Sequence, residues 1–373
     1  MCGCRSLATL LLAVASTACT GSYEALLRDG DVPEFASLLA ASDEVETRTE
    51  RFVLGEVDGE PVHLSVEERG TGSRGRVVVL LHGVASDRRV WRFVAGDLGR
   101  DHDLLLPDLP GCGESDHPEP GARGPGDYAP DALARDVLAA LRATLAGRPP
   151  GTNVTLVGHS LGGSLILRML GDAGLRRDFE DVRRLVDTIV LFSPLDFEMI
   201  KPDPVFLQMA TIGGLEVWAG DVFGIVRGRL ADVLRDSAPD PGLPLREEVD
   251  RTREYLVDGP RRRAMQAMLR QCVPFSDEGR LQWSAAERLV ADYGRVDVPC
   301  LIVWGSRDES LPVAMGYKLA VQIPGASLRI VPGATHSLPH ERPATCAELI
   351  RLFADSAGGG LPARAPDTPR APA

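Results

Sequence analysis

Three side chains met in the order serine, carboxylate, histidine can turn an ordinary alcohol into a nucleophile. The serine is Ser160, set in Gly158-His159-Ser160-Leu161-Gly162-Gly163. A serine hydroxyl attacks poorly at neutral pH until a neighbouring imidazole takes its proton. His336, in Pro332-Gly333-Ala334-Thr335-His336, can be that base, and Asp308, in Gly305-Ser306-Arg307-Asp308, can fix its tautomer and stabilise the imidazolium. The Gly-x-Ser-x-Gly spacing suits a serine on a sharp strand-to-helix turn, where Gly158 and Gly162 remove side chains that would clash. The backbone N–H of Leu161 would then point at a developing oxyanion. Rivals exist for two of the roles. Asp196 competes as the acid, and His340 and His117 as the base, although neither histidine directly follows a strand-like run. His82 reads as structural, holding its own loop by a hydrogen bond.

These residues need elements to position them. Runs rich in Val, Leu and Ile at 76–81, 104–107, 153–157, 186–192, 300–304 and 327–331 have strand length, and helical patterns alternate with them. Unbroken apolar strands between amphipathic helices predict a parallel sheet covered on both faces. In such a sheet the loops at the carboxyl ends of the strands open onto one edge, so Ser160, Asp308 and His336 can converge. Two strand-like runs flank Asp58-Gly59, a hairpin turn signal. Between 195 and 296 the alternation stops. That stretch is helical in pattern and carries Phe197, Met199, Phe206, Met209, Trp218, Phe223, Met265, Met268 and Trp283, which predicts an inserted lid. Those side chains can line an acyl pocket or form the lid's own core, and helical spacing favours core.

Over about Val53 to Ala354 the chain resembles the α/β-hydrolase superfamily, in the branch of carboxylesterases, lipases and carbon–carbon bond hydrolases. Beside the GHSLGG segment, the likeness rests on His82-Gly83-Val84 after a strand, on Trp91, and on Asp108-Leu109-Pro110-Gly111-Cys112-Gly113-Glu114-Ser115. Glu341 and Pro343 match residues that commonly follow the catalytic histidine. The resemblance implies a mostly parallel central sheet with helices on both faces and an inserted helical lid. It implies the second oxyanion donor as the Val84 amide, and a site-shaping, non-catalytic role for the 108–115 loop. Some relatives place the acid where Asp196 stands. The implied activity is cleavage of a carboxylic ester through an acyl-enzyme, with no cofactor and no metal. Carbon–carbon hydrolysis of a diketone-like substrate by the same triad is the alternative, followed by a non-catalytic binding protein. Epoxide hydrolases and haloalkane dehalogenases carry Asp where Ser160 stands, and the HGGG motif of hormone-sensitive lipase relatives is absent, so both groups are disfavoured.

The N-terminus reads as targeting rather than fold. Arg5 precedes an apolar run from Leu7 to Ala15, then Ser16, Thr17, Ala18 and Cys19. Residues 1–18 are expected to be a signal peptide, since the run is too short to span a bilayer. Cys19 resembles the lipidated cysteine of a bacterial lipobox, with Ser16 where an aliphatic residue is usual. The resemblance implies an exported lipoprotein facing the periplasm or on the outer membrane, with 19–50 as a polar tether. The core is then expected at 51–194 and 297–356, with a disordered Gly/Pro/Ala-rich tail at 357–373. A net charge of −12 and the lack of a basic stripe able to neutralise a run of phosphates argue against nucleic acid as a partner. Arg261-Arg262-Arg263 reads as a solvated helix face. The expected partners are a small-molecule ester or lipid-like substrate and, through Cys19, a membrane. Seven cysteines are present, and Cys112, Cys272, Cys300 and Cys346 show no metal-ligand spacing. Cys300 reads as core, while one disulfide among the other three is left open.

Overall fold

The computed structural model describes residues 45–196, 204–236, 246–273, 280 and 282–355. The expected signal peptide, Cys19, most of the tether and all of the expected tail lie outside these. The strands are β1 (Thr47–Val57), β2 (Glu60–Arg69), β3 (Arg76–Leu81), β4 (Asp103–Pro107), β5 (Asn153–His159), β6 (Val186–Phe192), β7 (Cys300–Gly305) and β8 (Ser327–Val331). They form one eight-stranded sheet in the order β1-β2-β4-β3-β5-β6-β7-β8. The β1–β2 and β2–β4 pairs are antiparallel, and from β4 onward every pair is parallel. The β1–β2 turn holds Asp58 and Gly59 at φ of +54° and +83°, as a tight hairpin requires.

One expectation about the N-terminal stretch is corrected. Residues 47–50 belong to β1, not to a polar tether: Thr47 pairs with Arg69 and Glu50 with Val66. Thr47, Arg48 and Thr49 are exposed and Glu50 is only half-buried, so no buried alternation marks them as strand. What holds them is the β2 ladder and the Arg48 guanidinium, which donates to Glu68 at 2.8 Å.

Alternate side chains of the parallel strands feed two cores. Val77, Val79 and Leu81 of β3 pack on one face with α2 (Pro130–Leu145) and α3 (Leu161–Gly171). Val78 and Leu80 pack on the other, with α1 (Arg92–Leu98) and a C-terminal helix at Pro343–Asp355. Two short helices, α4 (Ala173–Asp178) and α5 (Glu180–Arg183), lead into β6. Burial of both faces is why these strands read as continuous apolar runs.

Between β6 and β7 lies the helical insertion: α6 (Pro204–Thr211), α7 (Gly214–Val222), α8 (Ile225–Asp236), α9 (Arg246–Val257), α10 (Gly259–Cys272) and α11 (Trp283–Val290). Its apolar residues divide in two. Met265 and Met268 are buried, whereas Trp218, Phe223 and Trp283 are exposed. Phe197 and Met199 lie outside the described residues. The last part of the stretch belongs with the body, since Asp292 pairs with Arg168 of α3 at 2.6 Å. The arginines of α10 are not simply solvated: Arg263 pairs with Glu119 of the body, and Arg262 donates to Leu256 O at 2.7 Å. The chain closes with α12 (Ala314–Gln322), α13 (Leu338–Glu341) and α14 (Pro343–Asp355). Cys112, Cys272, Cys300 and Cys346 are buried free thiols, so no disulfide joins them.

Candidate active site

Ser160 follows β5 directly and caps α3 with φ +52° and ψ −120°. A non-glycine residue in that region is strained and persists only where its surroundings over-determine it. Three glycines let the surroundings close in. A Cβ on Gly158 would lie 2.5 Å from the Gly163 amide nitrogen, and one on Gly162 would lie 2.5 Å from the Leu81 carbonyl oxygen. A Cβ on Gly163 would meet Pro194 at 2.8 Å. The Ser160 amide donates to Phe192 O at 2.9 Å, while its carbonyl accepts from Gly163 and Leu195 at 3.0 and 3.1 Å. The turn is thereby fixed on both sides.

The loop after β3 lies against this serine. A Cβ on Gly83 would come within 3.0 Å of Ser160 Cβ and 3.5 Å of its hydroxyl oxygen. Val84, Ser160 and Leu161 line one side of a pocket whose other wall is Met268, Leu269 and Cys272 of α10, with Val273. Among the described residues no backbone carbonyl accepts from the amide of Val84 or Leu161. Leu161 also opens α3, where the helix dipole favours negative charge. His82 is a brace, as expected: Nδ1–H donates to Gly83 O at 2.8 Å, and Nε2 accepts from the Leu109 amide at 2.9 Å. Burial lowers its pKa to about 4, so the ring stays neutral.

Asp308 and His336 meet above the ends of β7 and β8. His336 Nδ1–H donates to Asp308 Oδ2 at 2.9 Å, and the other carboxylate oxygen accepts from the Leu311 amide at 2.8 Å. Burial alone would raise the Asp308 pKa, but the His336 charge and these hydrogen bonds bring it below the ordinary carboxylate value. The two loops touch backbone to backbone, because a Cβ on Gly305 would sit 2.4 Å from Ala334 O. Asp196, the rival acid, is occupied elsewhere: it accepts from Lys318 Nζ at 3.1 Å and Tyr293 hydroxyl at 3.4 Å. His340 lies 3.1 Å from Glu248, and burial lowers its pKa well below the ordinary value. His117 is also lowered, to about 4, first by burial.

Two braces were not assigned these roles from the sequence. His159 Nε2–H donates to His336 O at 2.7 Å, with the rings 4.8 Å apart, and Trp91 packs edge-on behind it at 6.4 Å. Glu341 accepts from the Thr335 amide at 2.8 Å and from the Thr335 hydroxyl, which fixes the residue before His336. The signal was present in both cases, one residue before the serine and five after the histidine. The 108–115 loop is tied through Asp108, which accepts from the Arg88 and Glu114 amides at 2.8 and 2.9 Å. Among the described residues, no three His, Cys, Asp or Glu side chains cluster as metal ligands.

The sequence model of the Alpha/beta hydrolase family matches residues 78–349. The chain belongs to that family. An uncharacterised protein of Mycobacterium tuberculosis is 26% identical to this hydrolase over 302 residues, covering 76% of each chain. A cis-3-alkyl-4-alkyloxetan-2-one decarboxylase of Xanthomonas campestris is 27% identical over 288 residues, covering 75% of this chain and 89% of that one. Among solved structures, a serine hydrolase of the polyaromatic hydrocarbon-degrading bacterium Cycloclasticus zankles superposes with a TM-score of 0.62 at 17% identity. That match covers 84% of the hydrolase and 100% of the other chain, and at this identity it speaks to the fold.

Proposed function

We propose that this hydrolase cleaves a carboxylic ester through an acyl-enzyme on Ser160. The observation that carries the reading is a strained serine in a pocket lined also by Val84 and Leu161, whose amides donate to no backbone carbonyl among the described residues. Ser160 Oγ attacks the ester carbonyl as His336 Nε2 takes its proton. Asp308, bonded to Nδ1, holds the ring in the tautomer whose Nε2 carries no proton and stabilises the imidazolium. The two amides receive the oxyanion, and removal of one such donor typically costs on the order of 10²–10³ in kcat. His336 then gives the proton to the leaving alcohol, and water repeats the sequence to release the acid. The apolar wall of Met268, Leu269 and Val273 suits a hydrocarbon acyl group, and exposed Leu215, Trp218, Val222 and Phe223 suit a lipid-like partner.

A fluorophosphonate probe is expected to label wild-type protein at Ser160. Ser160→Ala is expected to abolish labelling and to lower ester turnover by on the order of 10³ or more. Near-normal turnover by purified Ser160→Ala protein would sink the assignment. Turnover of a diketone in place of every ester tried would move the reaction to carbon–carbon hydrolysis and leave Ser160 in its role. The same proposal includes export and attachment of lipid at Cys19, which would bring the pocket to a membrane surface. Among the described residues no helix is long and apolar enough to cross a membrane.

A further inference from the structure

The loop carrying the Val84 amide holds a strained residue. Ala85 has φ +52°, a left-handed conformation that costs any residue with a Cβ and that needs support from outside. His82 supplies part of that support from the body. Asp108 adds to it from the body through the Arg88 amide at 2.8 Å, and further support comes from the lid. Tyr255, on α9, donates its hydroxyl to Ser86 O at 2.6 Å and accepts from the Gly113 amide at 3.0 Å. Its side chain is fully buried. One residue earlier, Glu254 lies 3.5 Å from Arg89, whose guanidinium also grips Asp87 at 2.9 Å. The next helix, α10, forms the pocket wall facing Ser160.

We propose that Tyr255 is a positioning residue for the oxyanion donor loop, so that the Val84 amide is aligned only while the lid is seated. The inference rests on the acyl-transfer reading of Ser160 and Val84. An oxyanion donor works at 2.7–3.1 Å from the developing charge, and a misplacement of about 1 Å can cost on the order of 10² in rate. Without the Tyr255 hydroxyl, the Ser86 carbonyl and Gly113 amide face an apolar ring. The lid's direct hydrogen bond to the loop backbone is then gone, leaving only the Glu254–Arg89 ion pair at 3.5 Å, so that Ala85 can relax toward negative φ and the neighbouring Val84 amide turns with it.

The test uses the full chain and follows fluorophosphonate labelling of Ser160, with kinact and KI resolved separately. Tyr255→Phe keeps the ring and removes the hydroxyl. Its kinact is expected to fall by about 10- to 100-fold, with KI changed less than about twofold, since alignment and not pocket shape is lost. Tyr293→Phe, which removes another buried hydroxyl, is expected to label normally. Ala85→Gly lets the loop hold positive φ without strain. Adding Tyr255→Phe to Ala85→Gly should therefore cost several-fold less than Tyr255→Phe costs alone. An unchanged kinact, an equal loss in Tyr293→Phe, or an undiminished loss in the Ala85→Gly background overturns the proposal while leaving Ser160 in place. Wild-type protein that fails to label at Ser160 removes the acyl-transfer reading, and this inference with it.

Discussion

At the scale of the residue, the candidate chemistry turns on which carboxylate reaches the histidine. Asp308 and Asp196 both follow strands, and both are buried. Asp308 accepts from His336 at 2.9 Å, whereas Asp196 is engaged by Lys318 at 3.1 Å. Asp308→Asn is therefore expected to lower kcat by on the order of 10³–10⁴, because an amide facing Nδ1 no longer enforces the working tautomer. Asp196→Asn is expected to leave kcat within a few-fold of wild type, whatever it does to stability. Steady-state kinetics on the two purified variants decide the matter, and the reverse pattern would move the acid to the end of β6.

At the scale of the element, the turn from β5 to α3 works because backbone occupies the space where side chains would otherwise be. A Cβ on Gly162 would lie 2.5 Å from Leu81 O and 2.6 Å from His82 O, both main-chain atoms that cannot swing aside. Gly162→Ala must push α3 away from β3. Overpacking of this kind costs about 1–3 kcal/mol, and here it would also shift Ser160. Urea unfolding is expected to register that loss together with slower probe labelling. Gly147→Ala, where an added Cβ meets nothing within 4 Å, serves as the control and should change stability by less than about 0.5 kcal/mol. A stable, fully reactive Gly162→Ala protein would contradict the close packing described for this turn.

At the scale of the whole molecule, buried neutral histidines make stability depend on pH. Burial lowers the pKa of His82 to about 4 and that of His159 to about 3, the latter helped by the nearby His336 charge. Both lie below the ordinary 6.5, so between about 6.5 and 4 the unfolded chain binds protons that the folded one refuses. Their contribution is complete above about pH 6.5 and is lost as pH falls, at roughly 1.4 kcal/mol per unit for each ring. Asp108 acts in the opposite sense. Burial raises it to about 6, so the folded state gains a proton on acidification before the unfolded state does. One such slope is recovered below about pH 6, and a net loss remains. Denaturant titrations are expected to give a lower unfolding free energy near pH 5 than near pH 7, whereas a flat profile would contradict neutral buried rings. The proposed lipid at Cys19 belongs to this scale as well. Fractionation and intact-mass measurement in a Gram-negative host should find wild type lipidated and in the membrane fraction, and Cys19→Ser released. A membrane-bound Cys19→Ser protein, or a mature wild type without lipid, would refute tethering.

The sheet, its two covered faces and the order of its site-bearing loops were legible in the sequence because local patterns encode them. Strand-length apolar runs specify burial on both faces, and Gly158 and Gly162 announce a close backbone approach around Ser160. The first residues of β1 were not legible, since Thr47, Arg48 and Thr49 are exposed and are held by pairing to a strand that comes later in the chain. The division of the lid's apolar residues was hidden for a similar reason. Helical spacing marks a face, but only packing decides whether that face meets a neighbour, as at Met268, or solvent, as at Trp218. Contacts between distant segments lay wholly beyond local pattern. His159 on the His336 carbonyl spans 177 residues, and Tyr255 on the Ser86 carbonyl spans 169. Each depends on where separate loops and helices come to rest over one edge of the sheet, and only the folded chain determines that.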